Sequence, residues 1–204
     1  MSHWLEEAEK RQAAEKDDQT RAEKLRKKIL RIGENKALYG AQYETFTKDL
    51  HKLVERAAKL PDTPERPFRK MESREKDSKL DNQINIFYSS RRLSRRRWYT
   101  SLPFFNALQF KHLRVIFINL SSKAGYCELE LKENILLREA LGLPRTLKNR
   151  SFSKSGKLHL VYPFSINELN HELALEMIDW LAFVKEIKDC SFFNQVPEEE
   201  KHYF

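Results

Sequence analysis

Residues 22–60 read AEKLRKKILRIGENKALYGAQYETFTKDLHKLVERAAKL, and their spacing organises the rest of the chain. Apolar and aromatic side chains return at alternating steps of three and four: Ala22, Leu25, Ile29, Ile32, Tyr39, Tyr43, Phe46, Leu50, Leu53, Ala57 and Leu60, with Lys36 as the one break. A repeat averaging 3.5 residues lays a narrow stripe along a helix, as in coiled coils. At 1.5 Å per residue the helix would reach about 60 Å, too long for the core of a small protein. The stripe therefore predicts a second helix as its partner, in another copy (a dimer) or in a different protein. Leu25, Ile29, Ile32, Tyr39, Tyr43, Phe46, Leu50 and Leu53 are the expected helix-association residues. The tyrosines and Phe46 are bulky for a two-stranded coil and point to an irregular contact.

Gly33 and Gly40 lie beside the stripe, each costing a helix about 1 kcal/mol against alanine. Gly33-Glu34-Asn35 offers an alternative, a turn closing a helical hairpin. The continuous helix is preferred, because residues 8–21 have little apolar surface to set against residues 40–57. In that earlier stretch Arg11, Glu15 and Asp18 fill the stripe positions, and Trp4, Leu5 and Ala8 cluster at the tip. Glu6–Lys10, Glu7–Arg11 and Asp17–Arg21 are acid-before-base pairs one turn apart, which support a solvated helix.

Pro61, Pro64 and Pro67 stop the helix, since proline lacks the amide and clashes with the preceding turn. Four regions are expected: the helix at 1–60, a charged linker at 61–82, a compact domain at 83–190 and an acidic tail at 191–204. Strands are read at 84–88, 97–101, 113–120, 126–131 and 157–162. The third is apolar on both faces and so central. In the fourth, Cys127, Leu129 and Leu131 point inward against Glu128 and Glu130. A short helix is expected at 132–141, closed by Gly142 and Pro144, followed by a basic, Ser-rich loop at 145–157. Ser165-Ile166-Asn167-Glu168 reads as a capping box, with Phe164 and Leu169 as its hydrophobic staple. It would open a helix to about Lys188, burying Leu173, Met177, Trp180, Leu181, Val184 and Ile187 and exposing Glu168, Glu172, Glu176 and Asp179. The fold class is α+β: a long N-terminal coiled-coil-like helix (or helical hairpin), then a small, mostly antiparallel sheet covered by a C-terminal helix.

The chain carries 38 basic and 30 acidic residues, a formal charge of +8. Residues 83–127 hold eight basic side chains and no acidic one, whereas residues 161–204 sum to −6. Arg91, Arg92, Arg95, Arg96, Arg97, Trp98, Tyr99, Lys111 and Arg114 form a basic patch that would grip phosphates through forked donors and stack on bases. Such a patch gives affinity without sequence reading. The competing account is that the acidic C-terminal stripe neutralises it, or that it simply faces water. Arg91-Arg92-Leu93-Ser94 also resembles a substrate site of basophilic kinases, with Ser94 as acceptor.

Glu130-x-Lys132 matches half of a metal-dependent nuclease pattern. The upstream acid that this chemistry needs is missing from residues 83–127, and a wet strand face explains Glu128 and Glu130 more simply. Cys127 and Cys190 have no metal or redox spacing and read as reduced thiols. The six histidines show no paired ligand spacing, and no Gly-rich loop cradles phosphate. No cofactor and no metal are expected. No apolar run is long enough to cross a membrane, and the N-terminus lacks a signal-peptide core, so a cytoplasmic location is expected, with the nucleus also open. The expected function is a non-catalytic interaction or scaffold protein acting through its N-terminal helix. Nucleic-acid binding through residues 91–97 is the alternative, and a nuclease is third.

Overall fold

Each strand alternates inward apolar and outward polar residues, and the helices supply the cover that such a sheet requires. The computed structural model describes residues 3–61, 63, 65–77, 83–93, 109–138 and 158–196. Helix α1 (His3–Ala58) is continuous through both glycines, so there is no hairpin at Gly33. Strands β1 (Lys70–Asp77), β2 (Gln83–Leu93), β3 (Gln109–Leu120), β4 (Tyr126–Arg138) and β5 (Leu158–Ser165) form one antiparallel sheet in chain order. Helix α2 (His171–Leu181) follows, and two short helical turns at Ile187–Asp189 and Ser191–Gln195 close the described chain. The class is α+β, with the long helix, the antiparallel sheet and the C-terminal helix in the expected order.

Register sets the inner face in rows. Phe87, Ile116, Leu131 and Leu160 stand side by side, as do Asn85, Ile118, Leu129 and Tyr162. Leu120, Cys127 and Phe164 form the next row. Helix α1 lies over this face and buries Ile32, Asn35, Tyr43, Phe46, Leu50 and Val54, with Tyr39, Leu53 and Ala57 half-buried at the margins. It packs against β1 and α2, and Gln42 donates to the Ile166 carbonyl between them.

Polar anchors fix where the helix sits. Asn35 donates to the carbonyls of Ser121 (2.9 Å) and Tyr126 (2.9 Å) and accepts from Gly125 N–H (2.9 Å). It thereby clamps the β3–β4 turn, in which Gly125 takes a φ of 76° that favours glycine. Just over two turns later, Tyr43 donates to the Ile118 carbonyl (3.0 Å) and accepts from Asn85, which also meets His51.

Several expectations are corrected. The stripe does not wait for a second chain: from Ile32 onward its partners are the sheet and α2 of the same molecule. Asn35 faces the sheet and Lys36 faces water, so the break in the stripe is a one-residue shift of phase. Lys70–Asp77, expected within a linker, is an edge strand whose Met71 enters the core. The helix expected at 132–141 is strand as far as Arg138, because β3 offers twelve residues for pairing. Ser165 ends β5 and makes no side-chain cap; the true cap of α2 is Asn170, which accepts from Leu173 N–H (2.8 Å). That helix ends at Leu181 rather than Lys188, and Val184 is exposed. The expected strand at 97–101, the loop at 145–157 and the end of the tail lie outside the described residues.

Leu50 is 0% exposed, while Leu25 on the same helix is 48% exposed. Leu50→Ala should therefore lower stability by about 2–5 kcal/mol, and Leu25→Ala should change it by less than about 0.5 kcal/mol. Urea denaturation of the two variants checks this; equal losses would mean that the helix is not seated as described.

Candidate functional site

The inner face is apolar over most of its area, and its charged groups gather at one end. There Arg114 on β3 stands directly opposite Glu133 on β4, and His112, two residues earlier, stands opposite Arg91 on β2. Arg114 is 0% exposed. A buried guanidinium needs partners for its donors, and each of its three nitrogens has at least one. Nε donates to Glu133 (3.1 Å), Nη1 to the carbonyls of Trp180 (2.7 Å) and Lys185 (2.8 Å), and Nη2 to Glu186 (2.8 Å). The carbonyl of Trp180 belongs to the last turn of α2, where acceptors are left over and the dipole favours a cation.

The chain leaves α2 through Phe183, whose φ of 63° is left-handed. Phe183 N–H bonds the Trp180 carbonyl (3.0 Å) and Val184 N–H bonds the Asp179 carbonyl (2.9 Å). This is a Schellman ending with phenylalanine where glycine is usual, at a local cost of about 1 kcal/mol. The ring offsets that cost. It lies 4.4 Å from the Arg91 guanidinium carbon, 4.7 Å from that of Arg114 and 4.7 Å from the His112 ring.

His112 accepts at Nδ1 from Arg91 Nε (3.3 Å), which leaves Nε2–H to donate to Glu133. Burial alone would raise the Glu133 carboxyl, but the hydrogen bonds from His112 and Arg114 and the charge of Arg114 outweigh it and hold the group below the usual carboxylate range. Two guanidiniums face two carboxylates, so the cluster is neutral within itself. A carboxylate–imidazole pair suits proton transfer when a nucleophile stands beside it. Here the neighbouring hydroxyl of Ser89 is spent on the Leu181 carbonyl, and burial pushes the Cys190 thiol up to about 12. The cluster fastens α2 and the following turn to the sheet.

Of the expected nucleic-acid contact set, only Arg91 and Arg114 have described side chains, and both lie against the Phe183 ring. Arg114 is interior and cannot touch a polyanion, which removes it from that set. Arg91 is half-buried against Phe183 and His112. The side chains of Arg92 and Lys111 fall outside the described residues, as do Ser94, Arg95, Arg96, Arg97, Trp98 and Tyr99. Glu130 sits on the outer face of the sheet, bonded to Lys132 and to His159 (2.7 Å). Among the described residues no three His, Cys, Asp or Glu side chains gather as metal ligands. No helix is long and apolar enough to cross a membrane, again among the described residues. Cys127 is inward as expected, and burial pushes its thiol to about 12.

The expected helix-association residues divide at Ile32. Ile32, Tyr43, Phe46 and Leu50 are buried within the chain, with Tyr39 and Leu53 half-buried there. Leu25 remains exposed and Ile29 only half-covered, on a part of α1 that runs past the sheet. Residues 3–31 form this overhang, about 43 Å long at 1.5 Å per residue. Among its described residues none is buried. Sequence reasoning missed Asn35, His112, Phe183 and Glu186. The only local signal was Asn35, a polar residue inside an apolar stripe; the others gain their roles from strands or turns distant in sequence.

No protein-family model, no curated protein and no solved structure matches the chain.

Removing Arg114 takes a buried donor from Glu133 and from the Trp180 and Lys185 carbonyls, and leaves Glu186 without its cation. Arg114→Ala should cost about 3–5 kcal/mol in urea denaturation at pH 7. The lowered carboxyl of Glu133 adds stability above the unfolded carboxylate value and loses it as pH falls through the lower folded value. Glu133→Gln should therefore show a shallower loss of stability than the parent below about pH 4, measured as thermal midpoint against pH; parallel curves would contradict the assignment.

Proposed function

We infer that the chain is a non-catalytic interaction module whose binding element is the overhanging half of α1. One observation carries this reading: the helix continues for some eight turns beyond Ile32, its last buried residue, and takes Leu25 into solvent while leaving Ile29 half-covered. A helix gains most of its stability from packing one face, and one that is polar nearly all round is poorly stable alone. The overhang thus has the composition of an element that is completed by a partner. A helix is the natural occupant, since Ala22, Leu25 and Ile29 prolong the stripe at its own spacing.

The charged cluster around Arg114 supports the same reading from the other side. It offers an organised set of titratable groups, yet every one is tied to holding α2. The alternative of polyanion contact through residues 91–97 is weakened, because Arg114 is interior and Arg91 is held over Phe183.

Leu25→Asp combined with Ile29→Asp should leave the domain intact, with a thermal midpoint within about 2 °C of the parent at high dilution. Phe46→Asp is the control and should unfold the domain, since Phe46 is buried. A midpoint lowered by many degrees in the double variant would mean that the overhang folds back on its own domain, and the reading would fall.

A further inference from the structure

The overhang is electrically polar along its length. Residues 3–20 carry six acidic and three basic side chains, and residues 21–31 carry six basic and one acidic. Arg21, Lys24, Lys28 and Arg31 follow one another at steps of three and four, with Lys27 beside them, so they share one face of the helix. All five are exposed, and none forms an ion pair among the described residues. Glu23, one turn before Lys27, makes no bond to it. The opposite end includes Glu7, Glu15, Asp17 and Asp18, also exposed.

We propose that the occupant of the overhang is the overhang of a second copy of this chain, running antiparallel. The proposal rests on the interaction reading above and names its partner. In antiparallel overlap the basic block of each arm meets the acidic block of the other, twice, around one two-fold axis. Overlap of residues 3–31 about an axis near Asp17 lays residues 21–31 of each arm alongside the acidic first turns of the other. Parallel pairing would lay a net +5 block on its copy and bring both globular domains to the same end. A nucleic acid lying along the arm would meet the basic block but be repelled by the acidic one, so its charge matches only one end.

Two variants of the full chain test this, both confined to exposed positions. One carries Lys24→Glu, Lys27→Glu and Lys28→Glu, and the other carries Glu7→Lys, Glu15→Lys and Asp18→Lys. The parent should show twice its 24.4 kDa mass by light scattering at micromolar concentration, and lose association as salt approaches about 1 M, where screening acts within ~3 Å. Each variant alone should dissociate at least about 100-fold more readily, and an equimolar mixture of the two should recover the dimer. Gln19→Cys, next to the proposed axis, should cross-link under oxidation faster than Arg31→Cys.

A parent that stays monomeric at all concentrations overturns the proposal. So do variants that dimerise as the parent does, or a mixture that fails to pair. Oligonucleotide binding by a monomeric parent, lost with the three lysines, would replace the second copy by nucleic acid. In these cases an unchanged midpoint for the Leu25→Asp, Ile29→Asp chain keeps the interaction reading, whereas a large fall in that midpoint removes the reading itself.

Discussion

A sheet with one apolar face must remove that face from water, and here helix α1 shares the cover with α2 and the turns that follow it. Ile32, Tyr43, Phe46, Leu50 and Val54 are spread over more than twenty residues of α1, yet all reach the same core. Apolar contact alone would let the helix slide, since burial is nearly indifferent to direction. Asn35 on the β3–β4 turn and Tyr43 between Ile118 and Asn85 remove that freedom, because each needs its own partner at hydrogen-bond distance. The helix is seated by apolar area and indexed by two polar side chains.

The same division of labour recurs at the other end of the sheet. Trp180, Leu181 and Met177 bury α2, while Arg114 ties its carbonyls and the turn that follows to β3. An apolar side chain of similar size would serve burial about as well as a guanidinium. What Arg114 contributes is direction: it selects where the chain must lie after the helix ends. Phe183 accepts an unusual backbone conformation at that point, and its ring is held by the cations that the turn brings together.

The class, the order of elements and the inward set of β4 were legible, because alternation and 3.5-residue spacing are local signals. What covers the stripe was not legible. A helix resting on a sheet and a helix resting on another helix need nearly the same repeat. Five strands about 4.8 Å apart place the outer two only some 19 Å from one another, far less than the length of α1. Strand β1 was hidden for the reason that makes it a good edge: its charges discourage pairing with foreign strands and also resemble a linker. Residues 132–138 have a composition that tolerates a helix, and a long neighbouring strand decided otherwise. The Arg114 cluster was invisible because its members come from β2, β3, β4 and the turn after α2, joined only by register.

Gly33 stands one residue beyond the point where the sheet begins to support α1, with open space where a side chain would be. A helix is weakest where a glycine meets the end of its support. Bending forces applied to the distal rod would therefore concentrate in this single turn, which also carries the β3–β4 clamp of Asn35. The glycine thus sets the stiffness of the arm at its root, and the polar clamp is what that root transmits force to.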